Sequence, residues 1–557
     1  MRTRALAVLT AASLVMVSCG DDDSSSDDTT GGSAAVVATD EAPAAATSPV
    51  GTTVRSDAAD DAAGNGSSGI PAGVEIDRDA TLRYGYYIAL ATFDPHKSNG
   101  SNDNTWLFPV YDRLVHTSAS AEPVPGLAES WEFAEDGSYL EMRLRQGVTF
   151  HDGEPLNAEA VKANIERAQT VDGSTAVTLL DHITEVEVVD ESTVRLHTAY
   201  PDAALPLTLS DRAGAMISPA AFDDPNLAQA PVGAGAYRVT RYEPENIAVY
   251  ERYDDYWNVD ETHIKTIEIS VVIDTTTRLN ALRSGQLDAA EIDAQQIPDA
   301  EAGGLGLTLG TDVSFSLLQF NSANLPELAD ERVRRAMNLA IDRQALVDGL
   351  LQGYGEAAVQ PFPPGYYAND PAVTVEGTYP YDPEQARALL GEAGLGDGFG
   401  FEIVTTATPL RVQTTEAIQA YLADVGIDVS IRQVQSAGDF LQEVYDTRQA
   451  DAWMLAWGGR PDPWLTADGL YGPESFNNPS GFSTDPINEL LTASAETFDP
   501  DERATTLQEL SAEIATTPND VVVLFFPQKV VAYNDRVLNA QIWTVGRPEF
   551  RGMAMTG

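Results

Sequence analysis

Residues 418–431, IQAYLADVGIDVSI, combine two hydrophobic periodicities on either side of one glycine. Ile418 and Leu422 are four residues apart, which is the spacing of one face of a helix. After Gly426, apolar and polar residues alternate as far as Ile431, which predicts a strand with one buried face. A helix, a glycine and a strand in this order indicate an α/β protein.

Two further helices are predicted from their first residues. Asp330 precedes residues with helical apolar spacing and is expected to cap that helix. Another helix is expected to begin at Asp382-Pro383 and to end at Gly394. The α/β pattern therefore extends well before residue 418.

Strands are predicted on both sides of these helices. Residues 140–144 alternate between apolar and charged side chains, and residues 186–196 read as two short strands joined by a turn. The apolar run 521–526 predicts a buried strand that ends at Pro527.

The first residues are typical of an exported lipoprotein. Residues 1–18 have Arg2 and Arg4, then a short apolar core, and are predicted to be a signal peptide. Residues 16–20, MVSCG, resemble a bacterial lipobox, which implies lipid attachment to Cys19. An ordinary cleaved signal with an unrelated cysteine is the alternative.

Residues 19–69 are predicted to be a disordered acidic tether. They are almost entirely Asp, Ser, Thr, Ala, Gly, Val and Pro, so they cannot bury enough apolar surface to fold. The expected location is extracytoplasmic, on the outer face of the cell membrane. Such a protein is periplasmic or exposed on the cell surface.

The charge of the chain limits its partners. The formal net charge is -52, with 85 Asp and Glu against 33 Lys and Arg. Nucleic acid and anionic lipid surfaces are repelled by such a field. Because the acids are spread along the whole chain, they indicate a solvated acidic surface rather than a site for a cationic ligand.

No catalytic or cofactor motif is found. The six histidines are scattered without metal-ligand spacing, and the single cysteine lies in the lipobox. Phosphate-loop and nucleophile-elbow motifs are absent from the sequence. We therefore predict a protein that is not an enzyme, with no catalytic residue, no cofactor and no metal site.

A series of short motifs resembles family 5 of the bacterial extracellular solute-binding proteins. Residues 127–132, LAESWE, and residues 150–153, FHDG, look like the signature block of that family. The resemblance continues in the same order through the chain to about residue 530. The further motifs lie at 144–148, 158–161, 231–237, 256–257, 278–288, 320–321, 333–343 and 389–394.

The resemblance implies a two-lobed periplasmic-binding-protein-like clamp (type II, cluster C) with an extra inserted α/β domain. The first lobe is expected to be discontinuous, and the ligand is expected to lie between the lobes. The implied division is 70–113 first lobe, 114–224 inserted domain II, 225–312 first lobe, 313–517 second lobe (domain III) and 518–557 first lobe.

The resemblance also implies the function. The expected partners are a small solute, the transmembrane subunits of an ABC permease, and the membrane through the lipid anchor, with a monomer as the default state. The solute is peptide-like, opine-like, a sugar or a metal chelate. A secreted surface hydrolase and an envelope protein that binds or senses without transport are the alternatives.

The family resemblance suggests ligand contacts near residue 457. Trp457 is a candidate stacking wall or a core residue, and Gly458 is a candidate for close ligand approach. Peptide-binding members carry an aspartate where Arg460 stands, so Arg460 favours a carboxylate, phosphate or hydroxyl-rich ligand. A salt bridge to a neighbouring acid is the alternative for Arg460. Asp462 is a candidate substitute for the missing aspartate.

Four more candidates come from other segments. Tyr87 and Phe93 follow the first predicted strand and are candidates for the opposite wall of the cleft, although such aromatics also occur in cores. Phe320 and Asn321 are expected near the crossover between the lobes. Asn321 is expected either to touch ligand or to fasten the hinge.

Overall fold

The segment Val521–Tyr533 forms one long strand whose partners come from two different groups of strands. The computed structural model describes residues 69–98, 101–545 and 548–557. The predicted signal peptide, the lipid attachment at Cys19 and the tether as far as residue 68 lie outside the described residues. Helices and sheets alternate along the described chain, so the prediction of an α/β protein is confirmed.

Strands occur from residue 81 to residue 555 of the described chain. In these residues they are β1 Thr81–Tyr86, β2 Val115–Thr117, β3 Pro123–Pro125, β4 Ala128–Phe133, β5 Tyr139–Leu144, β6 Ile183–Asp190, β7 Thr193–Thr198, β8 Tyr237–Glu243, β9 Ile247–Arg252, β10 Thr266–Val271, β11 Ala289–Ile292, β12 Gly306–Thr311, β13 Phe315–Phe320, β14 Gly355–Ala357, β15 Phe399–Thr406, β16 Ile427–Val434, β17 Ala452–Trp457, β18 Val521–Tyr533, β19 Val537–Leu538 and β20 Ala554–Met555.

The longer helices lie mainly after residue 330. Over the described residues the α-helices are α1 Asn104–Leu107, α2 Ala158–Thr170, α3 Val177–Leu180, α4 Leu205–Thr208, α5 Thr275–Arg283, α6 Ile297–Ala302, α7 Glu331–Leu339, α8 Arg343–Leu350, α9 Val375–Thr378, α10 Pro383–Glu392, α11 Pro409–Asp424, α12 Ala437–Leu441, α13 Pro463–Tyr471, α14 Asp485–Glu496 and α15 Pro500–Thr516.

The largest sheet of the described residues has twelve strands. Its path is β16-β15-β17-β13-β18-β11-β1-β10-β9-β8, and β12 and β14 also pair with β18. The first half of β18 pairs with β13, whereas its second half pairs with β11 and β12. We call β1 and β8–β12 the first-lobe strands, and β13–β17 the second-lobe strands.

The predicted end of the strand at Pro527 is wrong, because β18 continues through this residue to Tyr533. Proline has no amide hydrogen and is tolerated in a sheet only where no ladder bond requires one. Pro527 lies after Phe525, which pairs with β13, and before Gln528, which pairs with β12. We call Pro527, together with residues 312–314 that join β12 to β13, the crossing.

The predicted return of the chain to the first lobe at residue 518 stays a prediction. Residues 521–526 are buried in the two hydrophobic clusters of the second lobe. Val530 and Ala532 instead pack in a first-lobe cluster with β11. The pairing partners of β18 thus change at Pro527.

The segment between the first strands of the first lobe has its own core. Strands β4-β5-β7-β6 form a four-stranded sheet, and α2 packs on β6 and β7. The associated hydrophobic cluster begins at Leu114 and includes residues as far along the chain as Ala234. The borders 114 and 224 of an inserted domain stay a prediction.

The locally predicted elements are confirmed. The Asp330 carboxylate accepts a hydrogen bond from the Arg332 amide at the start of α7, and Asp382 caps α10 in the same way. Gly394 and Gly426 have φ values of +81° and +92° after α10 and α11. The left-handed region is readily open to glycine alone, which explains why both helices end there. Strands β5, β6, β7 and β16 cover the predicted segments.

A buried ion pair fastens the C-terminal residues to the start of the inserted segment. Arg113 donates to both carboxylate oxygens of Glu549, at 2.9 and 3.1 Å, and both side chains are buried. Arg551 donates to Glu549 at 2.7 Å. Burial alone would raise the pKa of Glu549, but the two arginines outweigh burial and lower this pKa to about 2.

We predict that Glu549→Gln removes an acid-sensitive contribution to stability of about 3 kcal/mol. The unfolded carboxyl has an ordinary pKa of 4.5, so as pH falls the unfolded chain takes up the proton first. The contribution is thus complete above pH 4.5 and is lost between about pH 4.5 and pH 2. Urea unfolding over this range should show a shallower pH dependence for the variant.

Exposed Glu489 provides the matched control for this experiment. Glu489→Gln should leave the pH dependence of unfolding as it is in the unsubstituted chain. An equal pH dependence in Glu549→Gln and the unsubstituted chain would mean that the Arg113 pair adds nothing to acid stability.

Candidate ligand-binding site

The carboxyl ends of parallel strands from both lobes meet at the crossing. β1 is parallel to β10 and β11. β11 is antiparallel to β18: its first residue pairs with Tyr533 and its last with Val530, so its carboxyl end lies toward the crossing. In the second lobe, β15 is parallel to β16 and β17, and β17 ends opposite Phe315, where β13 begins. Ligands of open α/β sheets bind outside the carboxyl ends of the strands. The cleft is therefore expected between the end of β1 and the ends of β15 and β17.

Trp457 is the last residue of β17 and is buried, with 4% of its surface exposed. Its indole Nε1 donates to the Thr466 hydroxyl at 3.2 Å. One face of the ring is covered by the Arg460 guanidinium, whose central carbon lies 4.7 Å from the ring centre. Trp457 is thus packed at the end of β17 with Arg460 stacked on its ring, and its role as a ligand-stacking wall stays a prediction.

The glycines after Trp457 have different roles. Gly458 is half-buried, whereas Gly459 is buried and has a φ of +67°. A Cβ at Gly459 would lie 2.9 Å from the Val313 carbonyl oxygen, which is closer than contact allows. The close backbone approach at this loop is therefore between Gly459 and the crossing.

Arg460 is exposed at the carboxyl end of β17. One guanidinium nitrogen donates to the Gly459 carbonyl oxygen at 3.3 Å, and the group stacks on Trp457. Arg460 follows the end of β17, which lies opposite Phe315 beside the crossing. Its predicted ligand contact stays a prediction.

Asp462 has a structural role in this fold. It is fully buried, and Arg503 donates to its two oxygens at 2.8 and 2.9 Å. The Asp462 carboxylate also accepts from the Trp464 amide at the start of α13. With both oxygens engaged, Asp462 is not available as the free carboxylate that the sequence suggested.

We predict that Asp462→Asn lowers the free energy of unfolding by about 3 kcal/mol, because Arg503 would keep a buried charge without its counterion. Urea unfolding measures this change. Asp397→Asn, at an exposed position, is the matched control and should leave stability unchanged. A stable Asp462→Asn variant that loses ligand would assign the carboxylate to the ligand instead.

Tyr87 is the predicted site residue of the first-lobe wall. It is half-buried directly after β1, and its ring lies 4.9 Å from that of Tyr86. Arg278 lies 5.7 Å from the Tyr87 ring and donates to the carbonyl oxygens of Val272, Ile273 and Glu291. These contacts fix the carboxyl ends of β10 and β11 beside Tyr87.

Phe93 packs in a core, which is the alternative to the cleft wall that the sequence left open. Its side chain is fully buried in a first-lobe core, with edge contacts to the rings of Tyr242 at 5.0 Å and Tyr250 at 6.5 Å. Burial of the whole ring offsets the cost of ordering this loop, so Phe93 is a packing residue.

The placement of Phe320 and Asn321 near the crossover is wrong. β13 runs antiparallel to β17, so Phe320 lies opposite Ala452 at the far end of the strand, about 17 Å from Phe315. Phe320 packs in the second-lobe core. Asn321 donates to the Arg448 carbonyl oxygen at 3.2 Å and fastens that loop.

Two residues at the same edge as Arg460 were missed from the sequence. Arg411 lies in the first turn of α11, directly after β15, and Tyr445 lies between α12 and β17. The sequence around Arg411 contained one clue. A basic residue at the start of a helix is unfavourable, and it is notable in a chain with so few basic residues.

The described residues lack both a metal-ligand cluster and a helix suited to cross a membrane. They hold no group of three or more His, Cys, Asp or Glu side chains arranged for a metal ion. None of their helices combines the length and the apolar composition needed to cross a bilayer.

A sequence comparison tests the family resemblance directly. The profile described as "Bacterial extracellular solute-binding proteins, family 5 Middle" matches residues 122–478. This chain belongs to that family. Family 5 proteins are extracytoplasmic solute-binding proteins of ABC importers, and they bind peptides or similar ligands. The predicted family is therefore confirmed.

Relatives of known name belong to the same functional class. The glutathione-binding protein GsiB of Salmonella typhi is 30% identical over 436 residues, which cover 75% of this chain and 83% of GsiB. Di/tripeptide-binding protein 3 of Pseudomonas aeruginosa is 26% identical over 479 residues, which cover 77% of this chain and 87% of that protein. These relatives are named as binding proteins and not as enzymes.

Solved structures of family 5 type share the fold. HbpA2 from Haemophilus parasuis aligns with a TM-score of 0.75 and 26% identity over 86% of this chain and 100% of HbpA2. AgaA from A. tumefacien R10, solved with agropinic acid, aligns with a TM-score of 0.70 and 26% identity over 84% of this chain and 99% of AgaA. The predicted two-lobed family 5 fold is confirmed.

Proposed function

We propose that this chain is an exported lipoprotein that captures a small solute between its two lobes and delivers it to the permease of an ABC importer. Membership of family 5 over residues 122–478 carries this proposal. The convergence of carboxyl strand ends at the crossing supports a single cleft as the binding place. The chain acts as a monomer held at the outer face of the membrane by the lipid on Cys19.

Closure of the cleft is a rotation of one lobe against the other about the crossing. Two peptide connections run side by side there, residues 312–314 and the middle of β18. Buried Asp312 accepts from the Ser314 amide at 2.8 Å and lies 3.6 Å from the Lys529 ammonium, which links the two connections. A solute that contacts both walls only in the closed form stabilises that form for recognition by the permease.

The proposed division of the chain follows the sequence prediction with one change. The second lobe extends over residues 313–517 and includes the first half of β18, as far as residue 526. The inserted domain is proposed at residues 114–224. The remaining segments, including the chain after Pro527, form the first lobe.

The solute is proposed to carry a carboxylate, a phosphate or several hydroxyls. Arg460 stands where peptide-binding family members carry an aspartate for the ligand ammonium, and Asp462 is engaged by Arg503. AgaA is described in complex with an organic acid, agropinic acid, which supports an acidic solute for this chain too. A guanidinium at this place disfavours a free ammonium group.

We predict that Arg460→Asp abolishes binding of the solute that co-purifies with the chain, because the substitution reverses the charge that meets the ligand. Arg460→Lys should keep part of the affinity, since the charge stays but the planar fork is lost. Calorimetric titration with the eluted solute measures both. If both variants bind the solute as tightly as the unsubstituted chain, Arg460 is a surface residue that does not contact the ligand.

The proposed function is tested by native mass spectrometry of the purified chain and by uptake measurements. A co-purified mass identifies the solute, and deletion of the gene should reduce uptake of that solute several-fold. The mass of the N-terminal peptide should show acylated Cys19. Unchanged uptake would point to sensing without transport, and turnover of the bound solute would point to a hydrolase.

A further inference from the structure

Arg411 occupies an unfavourable position on the cleft edge. It is the third residue of α11, at the helix end where the aligned peptide dipoles are positive. The side chain is half-buried, and burial lowers the pKa of Arg411. A cation that is both partly desolvated and placed at the positive end of a helix is destabilised in the absence of an anion.

Within the described chain, Arg411 uses few of its hydrogen-bond donors. Its guanidinium donates to the Thr406 hydroxyl at 2.9 Å, and within the described chain no Asp or Glu oxygen lies within 4.0 Å of it. Arg343 makes a useful contrast. The Arg343 guanidinium is fully buried and has no acid partner among the described residues either, but it donates to three acceptors from Asn338 and Val523. Arg411 has five donors in a fixed fork and leaves most of them for solvent or a ligand.

Arg460 projects from the neighbouring strand at the same edge. β15 and β17 are adjacent and parallel strands about 5 Å apart, with Val404 opposite Trp453. β15 ends at Thr406, so Trp457 at the end of β17 lies two residues further along the sheet. Arg411 follows the end of β15 by five residues, and Arg460 follows the end of β17 by three. Two guanidiniums therefore share one edge of a strongly acidic protein.

Tyr445 lies close to both arginines. Its ring packs against Trp453 at 5.8 Å and Phe476 at 5.4 Å. Burial raises the pKa of Tyr445 to about 12, and Arg411 and Arg460 both act in the opposite direction. Tyr445 therefore lies within electrostatic reach of both guanidiniums.

We infer that Arg411 and Arg460 form a two-guanidinium site for an anionic group of the solute, a carboxylate or a phosphate, on the second-lobe wall of the cleft. This inference rests on the proposed function of the cleft. Like charges repel, and partial burial and the α11 dipole add to the cost of Arg411. An anion between the guanidiniums offsets the charge repulsion, the partial burial and the unfavourable dipole. It also accepts charge-assisted hydrogen bonds from the guanidinium N–H groups.

The site selects solutes by one chemical property. A solute with a carboxylate or phosphate engages both arginines, whereas its neutral amide offers a weaker acceptor and a cation is repelled. The amino group of a peptide is therefore directed away from the second-lobe wall. Arg411 becomes a specificity-determining residue, which the sequence alone did not identify.

The test uses the purified full chain in detergent, freed of co-purified solute, and three small probes. Succinate, succinamide and inorganic phosphate are titrated by calorimetry at constant ionic strength. We expect saturable binding of succinate or phosphate, and at least tenfold weaker binding of succinamide. Succinate binding without phosphate binding would identify a carboxylate site, and the reverse would identify a phosphate site.

The variants are Arg411→Gln, Arg411→Lys and Arg460→Gln, with Arg143→Gln on an exposed strand position as matched control. Each glutamine variant should weaken anion binding roughly tenfold to hundredfold, which is the effect of losing one charged hydrogen bond. Arg411→Lys should be intermediate, and Arg143→Gln unchanged. Thermal melting checks that each variant is folded, and Arg460→Gln tests the site even if Arg411→Gln does not fold.

Equal binding of succinate and succinamide, no saturable anion binding, or unchanged anion binding in both glutamine variants would overturn the inference. The outcomes also separate it from the proposed function. A neutral co-purified solute with gene-dependent uptake would leave the transport function standing and overturn the anion site. If succinate binding depends on the two arginines but gene deletion does not change uptake, the anion site stands and the transport function is overturned.

Discussion

Strand β18 is the constraint on which the rest of the structure depends. It supplies the pairing partner for β13 in one lobe and for β11 and β12 in the other, and its apolar residues fill cores on both sides of Pro527. Because every other strand of the large sheet takes its direction from this one, the carboxyl ends of the parallel strands in both lobes point to the crossing. The place of the candidate cleft thus follows from backbone hydrogen bonding alone.

Elements determined by local chemistry were predictable from the sequence. Caps such as Asp330 and Asp382 and the left-handed glycines Gly394 and Gly426 specify where helices begin and end, because the interactions involved span only a few residues. The continuation of β18 through Pro527 was not predictable. Its partners Gly306–Thr311 come from more than 200 residues earlier, and a proline reads locally as a strand end.

The candidate site shows the same division between local and distant information. Trp457 and Arg460 were identified as candidates through the family resemblance, which compares a short stretch of sequence. The engagement of Asp462 depended on Arg503, 41 residues away on α15, and the distance of Phe320 from the crossing depended on antiparallel pairing. A carboxylate can look like a ligand in the sequence when its real partner is a buried arginine that only the fold supplies.

The sharing of β18 has a consequence for dividing the protein into pieces. A fragment that ends before residue 521 would leave both β13 and β11 with open edges, and open hydrophobic edges pair with other chains. A second-lobe fragment cut at Pro527 would keep its own edge covered but would expose that of the first lobe. The two lobes therefore form separate ligand walls but share one strand, and truncation or permutation within β18 is expected to open sheet edges that promote aggregation.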